Sequence, residues 1–474
     1  MRFIAFFALM TFGFSVTAEK PNVLFIISDD LSAEALGVYG NAQCTTPNID
    51  RLAREGVRFT RTYCQFPICG PSRAALMSGL YPEVVQVMRN SDSEKFESVM
   101  GNRPSMAEHF RLNGYYTART SKIYHMRVPG DITAGVDGPD HVESWSEKHN
   151  FKAPEWMTKG EHEHLSNEKL RFEPETHYSL GFGSAFYVVK GESDGFEQPD
   201  VRATSKAIEI MSEHKDDPFF MAVGLVRPHV PLVAPTSYFD AHPHEQMQLP
   251  VKVAFDWDDL PKAGISRSSR SLGMQGDLVK QRKSLAAYYA SVSFMDAQVG
   301  RLLDALDELE LRDNTIVVFM SDHGYHLGEH DFWQKVSLHE ESMRIPLIIS
   351  VPGVAPATAT TLSEQIDIYP TLAELAGLDI PEHVQGRSLV SALSDPDVSL
   401  REDVYGVTGR GKMLRTVDWA YIRYSNGEEE LYDMINDPQQ FTNAAPNSQN
   451  SDALELMRQR MDKREASVRN AKLP

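Results

Sequence analysis

Residues 22–30 read NVLFIISDD: five apolar residues in a row, then Ser28 and two carboxylates, Asp29 and Asp30. A run without alternation is the mark of a strand buried on both faces, as in the parallel sheets of α/β proteins. Residues 315–324, TIVVFMSDHG, repeat the pattern and again end Ser-Asp-polar, at Asp322 and His323. A third run, PFFMAVGLVRPH (218–229), leads into Arg227 and His229, and a fourth, GYYTARTSKIYH (114–125), into Lys122 and His125. In open α/β sheets the carboxyl ends of the strands line the ligand crevice. Four strands that each deliver charged or imidazole groups there predict one convergent site.

Helices fill the intervals. TTPNIDRLAREG (45–56) has Thr46 as N-cap, Pro47 at the first helical position and Gly56 as the stop. Over residues 283–311 the apolar positions Val292, Met295, Val299, Leu302, Leu306 and Leu309 recur at helical spacing, which predicts a long amphipathic helix. IDIYPTLAELAGL (366–378) reads as a short helix closed by Gly377. Residues 126–199, rich in Gly, Pro, charge and aromatics without periodicity, are expected as long surface loops that shape a pocket or are plain insertion. After about residue 380 short alternating strands and an Asn-Gly turn at Asn426–Gly427 predict an antiparallel meander, followed by a charged helix over 452–468. The expected organisation is a signal peptide (1–18), a main domain (19–388) and a C-terminal subdomain (389–474).

The leader rests on MRFIAFFALMTFGFSVTAEK: one arginine, an apolar run, then small residues around Ala18. The run is too short for a membrane span, and no cysteine stands where lipidation would need one. The mature chain is expected to be exported, periplasmic or secreted. The 474 residues carry a net charge of -19 with 42% hydrophobic content, which argues against nucleic acid or an anionic membrane as bulk partner. An anionic substrate would need a local basic pocket inside this acidic shell. Three cysteines, Cys44, Cys64 and Cys69, cannot build a disulfide framework. Whether Cys44 and Cys64 pair stays open, and Cys69 is left over.

An acid pair at a strand end can simply cap a following helix. Two pairs at the ends of separate parallel strands repel unless a cation sits between them, and hard oxygen donors favour calcium or magnesium. Cys69 stands in CQFPICGPSR (64–73). Pro71 suits a first helical turn, so Cys69 falls at a helix N-terminus, where backbone donors favour an anion and Arg73 adds a planar donor. Three roles are open on these residues alone: a buried apolar filler, a phosphatase-type nucleophile, or a modified side chain.

CGPSRAALMSG resembles the signature of the formylglycine-dependent sulfatases, Cys-x-Pro-Ser-Arg closed by a small residue and Gly. PNVLFIISDDL, TPNIDRLAREGVRFT, SKIYH, RPHVP, SDHGYHLGEHDFWQKVSLHEESMRIPLI, IDIYPTLAELAGL and ELYDMINDPQQFTN follow in the family's order over nearly the whole chain. Within the family the chain is most similar to the iduronate-2-sulfatase branch, through RPHVPL, YYASVSFMDAQVGRLLDALDEL and His323. The resemblance implies an alkaline-phosphatase-like α/β sandwich, with a large, mostly parallel sheet between helices and a smaller C-terminal unit of antiparallel sheet and helix. It implies that a maturase acting on the unfolded chain converts Cys69 to formylglycine, whose hydrated aldehyde is the nucleophile. Asp29, Asp30, Asp322 and His323 would hold one calcium ion, with modified Cys69 completing the shell. Arg73 and Lys122 would steady the hydrate and the sulfate, and His125 would take a proton from the hydrate's second hydroxyl. His229 and Lys335 would contact the sulfate and the leaving oxygen, with His229 as general acid. The implied substrate is a sulfated carbohydrate, a uronate 2-sulfate or a related polysaccharide unit. The alternatives are a phosphonate or phosphate ester hydrolase of the same superfamily and a catalytically silent glycan-binding protein. Two departures stand out: SKIYH lacks the usual Gly before Lys122, and His339 replaces a common phenylalanine.

Overall fold

In the computed structural model, which describes residues 20–171 and 180–470, residues 22–29 form β1 at the centre of an eight-stranded sheet. The expected signal peptide, residues 1–18, lies outside the described residues. The strands are β1 (Asn22–Asp29), β2 (Val57–Tyr63), β3 (Tyr116–Thr120), β4 (Glu147–His149), β5 (Phe219–Pro228), β6 (Thr315–Ser321), β7 (Arg344–Ser350) and β8 (Ala357–Glu364). Their spatial order is β8-β2-β7-β6-β1-β5-β3-β4. From β6 to β4 every pairing is parallel, whereas β7 runs against both its neighbours. The four strands singled out in the sequence are therefore the adjacent set β6-β1-β5-β3, and their carboxyl ends share one edge.

The apolar run of β1 splits between two cores. Val23, Phe25 and Ile27 pack on one face of the sheet, Leu24 and Ile26 on the other, all without exposed surface. Each such side chain contributes about 1.5–3 kcal/mol by leaving water, so both faces must be covered. The helices that matter here are α1 (Pro47–Glu55), α2 (Cys69–Ser78), α3 (Pro199–Glu213), α4 (Leu278–Glu308), α5 (Ile368–Leu375) and α6 (Ser451–Asn470). Leu285, Val292, Met295, Val299, Leu302 and Leu306 of α4 cover the Leu24 face. Residues of α2, α5 and the C-terminal meander cover the Phe25 face. The meander has four antiparallel strands, Val404–Val407, Gly411–Arg415, Trp419–Tyr424 and Glu429–Asp433, with Gly427 at φ 86 in the last turn. A φ of that sign is what an Asn-Gly turn supplies.

Three expectations need correction. Helix α4 begins five residues earlier than the periodicity indicated and stops three earlier. Thr46 occupies the N-cap position of α1 without capping it. Its hydroxyl instead accepts the Gly37 N–H at 3.0 Å, while the Asp296 carboxylate of α4 receives the Asn48 and Ile49 N–H groups at 3.2 and 2.8 Å. Thirdly, residues 126–199 are not only surface loops. Gly160–His164, Tyr187–Gly191 and the distant Leu232–Pro235 form a three-stranded sheet, with Trp156, Phe182, Tyr187, Val189 and Val233 in a small core of its own. Short strands separated by irregular chain carry no readable period, and one partner lies about forty residues downstream.

Candidate active site

Where β1 ends, the chain makes an unusual turn. Asp30 adopts φ 65, a costly conformation for a non-glycine residue. Its N–H donates to Asp322 Oδ1 at 3.1 Å, and its carbonyl accepts from the Tyr288 hydroxyl at 2.6 Å. Ser121, next to Lys122, and Gln334 and Val336, on either side of Lys335, also have positive φ. Such outliers persist only where the surroundings hold them, and here they flank the charged groups of one cavity. That cavity has a volume of about 400 Å³ and is lined by Asp30, Cys69, Lys122, His125, His229 and Lys335 among others.

Helix α2 presents Cys69 at its first residue, with Ile68 as N-cap. The thiol is 1% exposed. Cys69 Sγ lies 3.4 Å from His323 Nε2, 3.7 Å from Asp30 Oδ1 and 3.2 Å from Lys335 Nζ. Burial and the Asp29 charge would raise this thiol, but Lys122 and Lys335 outweigh them and bring it below its ordinary value.

The carboxylates are arranged in two layers. Asp29 bonds Lys122 Nζ at 2.6 Å and Arg73 Nη2 at 3.2 Å. Burial alone would raise it, yet Lys122, His229, Arg73 and Lys335 together hold it well below the usual range. Lys122 reaches this place because β3 lies close against β5 at Gly224, where a Cβ would stand 2.2 Å from the Lys122 carbonyl oxygen. Asp30 is likewise held low: burial opposes ionisation, and His229, Lys335 and His323 overcome it. Its Oδ2, fully buried, has no hydrogen-bond donor among the described residues. Asp322 is pushed up by burial, more than His323 and Arg73 can offset.

His323 donates from Nδ1 to the Gly324 carbonyl at 2.9 Å, leaving Nε2 to face Asp30 at 3.2 Å and Cys69. Asp29, Asp30, Cys69 and His229 bring ligand atoms within 4.8 Å of one another, as do Cys69, Asp322 and His323. Burial would lower His323, but Asp322 outweighs it and holds the ring well above its ordinary value. An orphaned carboxylate oxygen among clustered buried acids fits a hard divalent cation, which would take the place of that ring proton.

The structure brings the residues named from the sequence to one place, with Arg73 beneath the cavity and not in its wall. Arg73 is fully buried. Its Nε donates to Asp322 at 2.9 Å, Nη2 to Asp29, and Nη1 to the carbonyls of Lys122 and Ile123 at 2.5 and 3.1 Å. Four of the five guanidinium N–H groups are thus taken by protein. His229 donates from Nδ1 to the Val230 carbonyl at 2.5 Å and turns Nε2 toward Asp30 Oδ2 at 3.7 Å. Burial lowers its pKa to about 4 despite Asp30. Burial and Lys122 lower His125 well below the ordinary histidine value. His339 lies outside the cavity: it bonds Ser337 at 2.6 Å and Glu430 of the meander at 3.0 Å. Cys44 and Cys64 are both buried and free, so no disulfide joins them.

Sequence reasoning missed Asn90, Arg127, Arg267 and Gln334, which complete the cavity wall. Asn90 accepts the Gly70 N–H at 2.8 Å and so steadies the start of α2. Asn90, Arg127 and Arg267 stand in no motif; Gln334, beside Lys335 in the short strand Trp333–Gln334, falls within the quoted stretch DFWQKVS.

Comparison with known proteins adds three findings. The family model described as Sulfatase matches residues 21–378, and that described as N-sulphoglucosamine sulphohydrolase, C-terminal, matches 328–467. A sulfatase of Formosa agariphila is 32% identical over 465 residues, covering 95% of this chain and 88% of that one. Iduronate 2-sulfatase of Homo sapiens is 31% identical over 405 residues, 77% of this chain and 70% of its own. Among solved structures, the phosphonate monoester hydrolase of Agrobacterium radiobacter superposes with a TM-score of 0.77 at 22% identity, covering 94% and 96% of the two chains. At that identity the likeness is one of fold.

Proposed function

The chain belongs to the sulfatase family of sulfuric ester hydrolases, and from that premise we propose that it is an exported enzyme that cleaves a sulfate ester of a carbohydrate, using a formylglycine made from Cys69 and one calcium ion. The observation that carries this reading is the meeting of Cys69, at the N-terminus of α2, with Asp30 and Lys335 in one cavity and with His323 buried against its sulfur. Asp29, Asp30, Asp322 and His323 would hold the ion. When bound, it would act as a Lewis acid that offsets the charge of the sulfate. Formylglycine would supply a hydrated aldehyde as nucleophile. Cys69 is buried, which supports a maturase that acts before folding. Export rests on the leader-like run at residues 1–18, and a sugar substrate on the kinship with iduronate 2-sulfatase.

The other residues have roles that follow from their contacts. Arg73 holds Asp29 and Asp322 in facing positions and ties both to the Lys122–Ile123 backbone. Lys122 and Lys335 put two ammonium groups on the cavity, forming the basic pocket that an acidic chain needs for an anionic ester. His125, buried and held well below its ordinary pKa, has no hydrogen-bond partner for Nδ1 among the described residues and can accept a proton. His229 would give a proton to the leaving oxygen at Nε2, because a sugar alkoxide leaves poorly without one. In the free site burial keeps it neutral, so the anionic ester must raise its basicity on binding.

A second reading, a phosphonate or phosphate monoester hydrolase, is favoured by the fold likeness to the Agrobacterium radiobacter enzyme. Assays of the calcium-loaded protein on matched sulfate and phosphonate monoesters separate the two. We expect the larger kcat/KM on the sulfate. A preference for the phosphonate would replace this proposal with the second reading.

A further inference from the structure

His229 sits on the turn between β5 and Leu232–Pro235, and three buried groups from remote parts of the chain fasten that turn. Ser28 Oγ, one residue before the Asp29–Asp30 pair, donates to the Arg227 carbonyl at 2.8 Å. The Asp200 carboxylate, at the start of α3, accepts the N–H groups of Val226 and Arg227 at 2.7 and 3.0 Å. The Arg227 side chain then turns back along its own loop. Its Nη1 donates to the His229 carbonyl at 3.0 Å, and its Nη2 lies 2.7 Å from both oxygens of Glu155.

Glu155 and Arg227 have no exposed surface. Glu155 adopts φ 50, in the region that favours glycine, and comes from the stretch expected as loops. Its neighbour Trp156 anchors it in the small core with Phe182 and Val233. Burying two charges costs solvation that their attraction often fails to recover, so an apolar pair of similar volume can be as stable. Stability alone therefore does not explain the pair. What it does, through the Arg227–His229 bond, is fix the backbone from which the imidazole projects toward Asp30.

We propose that Arg227 and Glu155 are positioning residues for the reaction: their ion pair sets His229 where it can serve the leaving oxygen. This rests on the role given to His229 above. The test uses the full-length, matured and calcium-loaded enzyme, with a nitrophenyl sulfate and a sugar sulfate that it accepts as probes. Four proteins are compared: wild type, His229→Ala, Arg227→Lys, and the double variant Arg227→Met with Glu155→Met. The double variant removes both charges of the pair and leaves Asp200 with its two backbone N–H donors, so it is the variant to read if Arg227→Lys does not fold.

A misplacement of about 1 Å can cost on the order of a hundredfold in rate. The expected result is a kcat loss of that order on the sugar sulfate, a much smaller loss on the aryl sulfate, little change in KM, and a thermal melt close to wild type for the double variant. His229→Ala should show the same dependence on the leaving group. Losses on both esters in proportion to the folded fraction, or no loss while His229→Ala keeps its leaving-group dependence, would overturn the positioning role and leave His229 in place. If His229→Ala itself affects both esters equally, the role of His229 falls and this proposal falls with it.

Discussion

Two places in this molecule bury charge at similar density. One is the cavity at the ends of β1 and β6. The other is the junction between β8 and the meander, where Glu364, Asp367 and Arg401 are almost without exposed surface. At the junction both carboxylates are fully used. Glu364 accepts from Tyr405 N–H and Tyr81 hydroxyl at 2.8 and 2.7 Å, Asp367 from Glu364 and Arg387 N–H at 2.7 Å each, and both bond Arg401. At the cavity, by contrast, Asp30 Oδ2 has no donor among the described residues. Buried charge by itself thus marks no function. Unfilled valence facing a cavity does, because an unpaired buried polar group is costly unless something else completes it.

That contrast can be tested from both sides. The largest effect belongs to Asp30→Asn, which keeps the shape and removes the charge. Turnover should fall about a thousandfold or more on every ester, the scale of losing a preorganised electrostatic contact. Added calcium should raise the melting temperature of the wild type and leave that of the variant unmoved. His229→Ala should cost about a hundred- to ten-thousandfold on sugar sulfates and far less on aryl sulfates, as paired kinetics on the two esters will show. An equal loss would assign His229 to sulfate binding.

At the junction, Arg401→Leu should lower stability by about 3–5 kcal/mol, since it leaves two carboxylates unpaired, while kcat per folded molecule stays at the wild-type value. Denaturant titration with an active-site count checks both. The smallest effect concerns His383, whose ring lies 6.1 Å from that of Tyr369 on α5. Burial, with Arg103 and His109, lowers its pKa to about 4 from an ordinary 6.5. Between those values the unfolded chain takes up the proton and the native one does not, so the stability it contributes above pH 6.5 is lost as pH falls toward 4. Relative to His383→Asn, the wild type should lose melting temperature over that window.

The ends of the four strands were legible because both faces of the sheet are buried. In β1, β5 and β6 continuous apolar runs then stop abruptly at charged groups, as at Ile27–Ser28–Asp29. Cys69 was legible through Pro71 and Arg73. The direction of Arg73 was not, since which carboxylates and carbonyls it meets depends on how α2 sits against β1, β3 and β6. Glu155 was hidden for the same reason: its partner Arg227 lies far along the chain, and its own surroundings have no period. Asn90, Arg127 and Arg267 reach the cavity from segments whose course is set by tertiary packing alone. The N-cap of α1 shows the effect in miniature, with Asp296 from α4 doing what Thr46 was expected to do.

The most direct test of the account is metal analysis of the purified, active protein, read together with its activity after chelation. One calcium per chain, loss of turnover when it is stripped and recovery when calcium is returned is the predicted result. Full sulfatase activity in protein that carries no divalent cation would contradict the account, because the Asp30 oxygen that has no donor among the described residues would then have no cation to complete it.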